Sequence, residues 1–105
     1  MTPQLRLSHQ RLKVLARFLE QPGVELSGAD IMRRTAMASG SMYPILYVFE
    51  ESGLLESRWE SNDPHALGRP RRRLYKLTAL GERTARDAAA DLAPLTQPFP
   101  MPSER

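Results

Sequence analysis

Residues 37–60 read MASGSMYPILYVFEESGLLESRWE, and the fold turns on how this stretch coils. At about 100° per residue, Met42, Ile45, Val48 and Phe49 gather on one side of a helix, joined in part by Leu46. Gly40, Tyr43, Pro44 and Tyr47 gather opposite, at i, i+3, i+4 and i+7. Ser39 is expected to cap this helix and Gly53 to stop it. One face therefore reads as core. The other is small at its tip and carries two tyrosines further along, an arrangement that stability alone does not ask for.

Working outward, Leu54–Glu60 and Arg71–Thr78 alternate as two strands, although neither contains Val or Ile. Leu55 and Trp59 share one face of the first strand, Tyr75 and Leu77 one face of the second. A cross-strand aromatic pair is expected, with Trp59 packing in the core or the hairpin. Between the strands, SNDPHALGRP is rich in turn formers and reads as a loose loop. Gly68 and Pro70 shape its end and present Arg69 and Arg71, while Arg72 and Arg73 alternate faces on the strand that follows.

Upstream, residues 8–20 read as a helix capped by Ser8 and stopped by QPG. Leu12, Leu15, Ala16 and Leu19 form one apolar stripe. Leu7, Val14 and Phe18 form a second, more than about 100° away by the same arithmetic. Two apolar sides need two packing partners: the second can be another subunit, or the helix can be deeply embedded in its own domain. Residues 27–36 give a short helix with Ser27 as cap, Asp30 at its positive end and Arg33 and Arg34 in its last turn. Downstream, Thr78 caps a helix over residues 79–93 whose apolar face holds Ala85, Ala88, Ala89 and Leu92. Pro94 is expected to end it, leaving 94–105 as a proline-rich disordered tail beyond a single domain of residues 1–93.

The order helix, helix, helix, strand, strand, helix is mainly α with a small β-hairpin. That is the order of a winged helix-turn-helix, which lays a helix in a DNA groove. The chain has 105 residues, enough for one small core, and no cysteine, which excludes disulfides and thiol chemistry. No apolar run approaches the roughly 18 residues of a membrane span, and the start lacks a signal-peptide pattern, so a soluble cytoplasmic protein is expected. No basic amphipathic helix suggests a membrane surface either. His9 and His65 are far apart, Glu50 and Glu51 are adjacent and diverge, and no metal-spaced cluster or phosphate-cradling glycine loop appears. Neither an enzyme nor a bound cofactor or metal is expected.

Net charge is only +3. Yet Arg69, Arg71, Arg72, Arg73 and Lys76 are crowded together, just after an acidic region containing Glu50, Glu51, Glu56, Glu60 and Asp63. Such asymmetry suits a face built for a polyanion. A helix entering the major groove N-terminus first offers free N–H groups and a positive dipole to phosphates. Gly40 permits close approach, Ser39 and Ser41 offer hydroxyls, and Tyr43 and Tyr47 can reach phosphate oxygens or base edges. Pro44 is tolerated near the first turn. Arginine suits phosphate forks and narrow minor grooves, which makes Arg69, Pro70, Arg71 and Arg72 the wing's candidates. The competing reading is a winged helix that docks an acidic protein partner without sequence-specific DNA binding, since a fold does not fix a function.

At SGSMYPILYVFEESGLLESRWE followed by GRPRRRLYKLTALGERT, over roughly residues 8–92, the sequence resembles the PadR family of bacterial transcriptional regulators. The Gly-x-Met-Tyr-Pro-x-Leu element, the Glu-x-x-Gly-Leu-Leu exit and the Gly-Arg-Pro-Arg wing running into Tyr-x-Leu-Thr-x-x-Gly carry the resemblance. It implies a repressor that dimerises through its first and last helices and acts at a pseudo-palindromic operator. By the match, Tyr43, Pro44 and Tyr47 fall on the recognition helix and Gly68, Arg69, Pro70 and Arg71 on the wing. Leu7, Val14 and Phe18, with Ala85, Ala88, Ala89 and Leu92, are the dimerisation candidates. Release by a phenolic or other small hydrophobic effector is a further implication of the resemblance. Larger members carry a long C-terminal dimerisation region; this chain resembles the shorter subgroup, where an Ala-rich helix gives a close but modest contact.

Overall fold

The computed structural model describes residues 7–61 and 63–96. Helix α1 spans His9–Leu19, with the Ser8 hydroxyl accepting from the Arg11 N–H at 3.3 Å. Its buried residues are Val14, Leu15 and Phe18. This corrects the two-stripe expectation. Val14 and Phe18 are 0% and 2% exposed within the single chain, because α1 packs at once on the second and third helices, the sheet and the last helix. They leave no side-chain surface for a second subunit, and Leu7 packs partly on the same core. The stripe left half-open is the other one: Leu12 and Leu19 are half-buried and Ala16 is exposed.

A two-residue strand, β1 (Leu26–Ser27), leads directly into α2 (Gly28–Thr35). The Ser27 hydroxyl accepts from the Asp30 N–H at 3.2 Å, and the Asp30 carboxylate accepts from the Ser27 N–H at 3.0 Å. This reciprocal box satisfies two donors that a helix start otherwise leaves open. The Ser27 N–H, followed by Arg33, holds the Asp30 carboxyl below the usual carboxylate range. The turn after α2 places Ala36 in the left-handed region at φ 58°. Buried Thr35 stitches that turn: its hydroxyl donates to the Ile31 carbonyl at 2.7 Å and accepts from the Met37 N–H at 3.3 Å.

Helix α3 spans Ser39–Glu51 and buries Met42, Ile45, Leu46 and Phe49. Its N-cap is Ala38, with no side-chain cap, rather than Ser39. The chain leaves the turn extended at Ala38, so Ser39 is already helical and exposed. Gly53, at φ 80°, ends the helix as expected.

Strands β2 (Leu55–Trp59) and β3 (Arg73–Leu77) pair antiparallel with Leu55 opposite Leu77, Ser57 opposite Tyr75 and Trp59 opposite Arg73. With β1 on the far side of β3 they form a three-stranded sheet of order β1-β3-β2. Leu55, Tyr75 and Leu77 are buried, whereas Trp59 is 58% exposed. Of the two places expected for Trp59, the structure takes the hairpin and not the core: the ring packs against Arg73 of the paired strand. The aromatic pair does not form: Trp59 faces Arg73. Among its described residues, the loop between the strands contains regular structure that its composition did not suggest. A helical turn, α4 (Pro64–Leu67), starts at Asp63, whose carboxylate accepts from the His65 N–H, and ends at Gly68 with φ 69°.

The last helix, α5, spans Ala79–Thr96. The Thr78 hydroxyl caps it, accepting from the Gly81 N–H at 2.9 Å while donating to the Gly53 carbonyl at 2.6 Å. The helix therefore continues past Pro94 instead of stopping at 93; a proline so near a helix end forfeits a single backbone hydrogen bond. The rest of the expected tail, 97–105, lies outside the described residues.

Candidate nucleic-acid interface

Burial of Met42, Ile45, Leu46 and Phe49 fixes which side of α3 turns outward. Ser39, Gly40, Ser41, Tyr43, Pro44 and Tyr47 are all exposed, Tyr47 to 65%. Pro44 has no N–H to give the Gly40 carbonyl, so that acceptor lacks its usual helical partner at the exposed tip. A Cβ built on Gly40 would meet nothing within 4 Å. Nothing inside the chain therefore calls for glycine at 40. The tip is bare, uncharged and open.

The wing is held by an internal clasp that the sequence reading missed. Glu60 accepts from Arg69 Nη1 at 2.7 Å, from Arg69 Nη2 at 3.1 Å and from the Arg72 backbone N–H at 2.9 Å. The Arg69 guanidinium beside it, then the Arg72 N–H, lower the Glu60 carboxyl to about 2. Arg69 was expected to meet a partner, but its charge is paired within the chain. Arg71 and Arg72 are exposed, as is Pro70. Arg73 is drawn inward: its Nε donates to Ser57 Oγ at 3.0 Å, Nη2 lies 3.6 Å from Glu50, and its guanidinium carbon sits 5.2 Å from the Trp59 ring centroid. The Ser57 hydroxyl also donates to Glu50. Glu50 is half-buried and ties the end of α3 to the wing.

Helix and wing face one another across a cleft of about 430 Å³. Tyr43 lines it from α3, Trp59 and Arg71–Arg73 from the hairpin, and Gly28 from the start of α2. Tyr43 and the arginine hairpin thus open on the same side. This juxtaposition of aromatic rings, hydroxyl and guanidinium is chemically suited to a polyanion with flat bases.

The dimerisation candidates divide. Val14 and Phe18 are core, as above. Ala85 is buried at 4%, Ala88 is half-buried and Ala89 is exposed, while the Leu92 side chain lies outside the described residues. A groove of about 360 Å³ runs between α1 and α5, lined by Leu12, Ala16, Leu19, Ala85 and Ala89 with His9 and Lys13 at its rim. Among the described residues no cluster of three or more His, Cys, Asp or Glu is placed to hold a metal ion, and no helix is long and apolar enough to cross a membrane.

Solved structures share this fold. A PadR-like transcription factor from Bacteroides fragilis superposes with a TM-score of 0.67 at 21% identity, over 81% of each chain. NadR in complex with 4-hydroxyphenylacetate gives 0.68 at 24% identity, over 84% of this chain and 57% of that one. Reduced AbfR bound to DNA gives 0.66 at 18% identity, over 88% and 60%. The chain spans less than two-thirds of the length of these last two. No curated protein matches it. The model of the "Transcriptional regulator PadR-like family" matches residues 12–87, most of the sequence. The chain belongs to the PadR-like family of transcriptional regulators.

Proposed function

We propose that this chain is a sequence-specific regulator that binds double-stranded DNA as a homodimer, working in the cytoplasm as a repressor. The observation that carries the reading is the shared cleft: Tyr43 on α3 and Arg71–Arg73 on the wing line the same opening. In this reading the bare tip of α3 enters the major groove, with Ser39, Gly40 and Ser41 near a phosphate and Tyr43 and Tyr47 towards base edges. Arg71 and Arg72 take the adjacent backbone, and Arg69 with Pro70 shapes the wing that delivers them. That AbfR has been solved on DNA is consistent with this use of the fold.

The second subunit docks on the α1–α5 groove, burying Leu12, Ala16, Leu19 and Ala89. Two-fold symmetry then requires a pseudo-palindromic operator with half-sites about one helical turn apart, roughly 34 Å. Release by a small hydrophobic or phenolic effector belongs to the same reading, supported by family membership and by the ligand of NadR. A band-shift with the DNA upstream of the protein's own gene, at two salt concentrations and against competitor duplex, tests it. Retention on the specific duplex under competitor is expected. Equal displacement from all duplexes would instead favour a wing that docks an acidic protein.

A further inference from the structure

Gly28 opens α2 and is buried, yet its backbone does not ask for glycine. Positive φ among the described glycines is confined to Gly23, Gly53 and Gly68. Alanine is the better residue inside a helix. What excludes a side chain is Tyr43. A Cβ built on Gly28 would lie 2.8 Å from Tyr43 Cζ and 3.0 Å from Cε1, and would collide outright with the hydroxyl. The obstructing atoms are the far end of a side chain that turns about two bonds, so a methyl group there would displace the phenol before it displaced α2. Gly28 and Tyr43 both line the cleft that separates helix from wing.

We propose that Gly28 is a specificity-positioning residue: the seat left by its missing side chain fixes the rotamer in which Tyr43 presents its phenol to DNA. This rests on the reading of Tyr43 as a DNA contact. The physical reason is that hydrogen bonds weaken steeply with distance and angle. A phenol swung off its seat loses the partner it was aimed at, while phosphate contacts made by the wing arginines stay in place. Gly28 touches no DNA in this scheme. It acts through the ring that rests on it.

The test uses the full chain with Gly28→Ala, Tyr43→Ala and the two combined. Each is titrated by fluorescence anisotropy against a duplex that the wild type recovers from a randomised pool, and against a scrambled duplex of equal length. Gly28→Ala is expected to weaken the recovered duplex roughly tenfold and the scrambled one by less than about twofold, as loss of one base-directed contact does. In the Tyr43→Ala background it should change neither. An unchanged ratio in Gly28→Ala alongside a reduced one in Tyr43→Ala overturns the proposal, as does an equal loss in both backgrounds. An unchanged ratio in Tyr43→Ala removes Tyr43 from recognition and the proposal with it. A wild type that recovers no duplex removes the DNA reading itself. Should Gly28→Ala alone fail to fold, restored folding in the combined variant supports the seat, and no restoration overturns it.

Discussion

Glu60 grips Arg69 with both carboxylate oxygens, at 2.7 and 3.1 Å, and one of those oxygens also takes the Arg72 backbone N–H at 2.9 Å. A single carboxylate thereby closes the loop between β2 and β3. The bidentate fork is the geometry in which arginine binds a carboxylate most specifically. Its consequence is a division of labour in a basic stretch that looks uniform in sequence. Arg69 holds the wing together, Arg73 anchors its base to Ser57 and Glu50, and Arg71 and Arg72 are exposed.

The clasp gives a pH signature. Glu60 ionises at about 2 in the fold against an ordinary 4.5, because the ionised form is the one that Arg69 and the Arg72 N–H bind. A depressed carboxyl pKa stabilises the fold fully above the unfolded value and ceases to do so as pH falls through the folded one. Between pH 4.5 and 2, the wild type should lose resistance to urea more steeply than Glu60→Gln. Parallel curves for the two proteins over that window would show that the clasp does not form in solution.

The division of labour also predicts salt dependence. Each phosphate neutralised contributes about −0.9 to the slope of log K against log salt. Arg72→Ala should flatten the slope by roughly 0.9 per subunit and weaken all duplexes alike. Arg69→Ala should change it far less, since that charge is already paired to Glu60. Glu60→Gln should steepen the slope by roughly 0.9 as Arg69 is released to a phosphate. Equal flattening by Arg69→Ala and Arg72→Ala would refute the assignment.

Much of this architecture was legible because it repeats locally. The 3.6-residue period of Met42, Ile45 and Phe49 exposes Tyr43 and Tyr47 without ambiguity, and Ser8, Ser27, Gly53 and Thr78 mark ends by chemistry confined to one turn. Apart from the N-cap of α3 and the end of α5, which are local, the misreadings involve partners distant in sequence. Nothing near Arg58 hints that its guanidinium pairs at 2.7 Å with Glu25 from the loop before β1. Likewise, the periodicity of α1 shows two apolar stripes but not which one the core takes, because that depends on four other elements. A two-residue strand such as β1 carries no pattern at all. The candidate site was legible as residue types, whereas the pairing that silences Arg69 and the seat under Tyr43 required coordinates.

Stability should be sensitive where the first turn of α5 lies against the Leu54 carbonyl, in the link between α3 and β2. A Cβ built on Gly81 would fall 2.9 Å from the Leu54 carbonyl carbon, with the oxygen closer still, and 3.0 Å from Leu77 Cδ2. The first obstacle is backbone, held in place because the Leu54 oxygen also accepts from the Thr78 N–H at 3.0 Å. Unlike Tyr43 over Gly28, it cannot swing away. Gly81→Ala should therefore cost about 1–3 kcal/mol, the range for overpacking a close contact, despite alanine's better helix propensity. Urea unfolding checks this, and a variant as stable as the wild type would mean that α5 can shift off the Leu54 carbonyl freely.

The groove between α1 and α5 yields the last expectation. Ala16 and Ala89 are exposed on its two walls, so a longer side chain at either has open space in the single chain. If a second copy fills the groove, Ala89→Glu places a carboxylate in an apolar contact, where an unpaired charge is expensive to desolvate. Sedimentation equilibrium should then show a dimer for the wild type and a monomer for Ala89→Glu, with thermal unfolding of the monomer still cooperative. Because two half-sites are read together, the variant should lose most of its affinity for a palindromic duplex while binding an isolated half-site as the wild type does. A variant that stays dimeric would move the subunit contact away from this groove and leave the Leu12–Ala89 surface to some other partner.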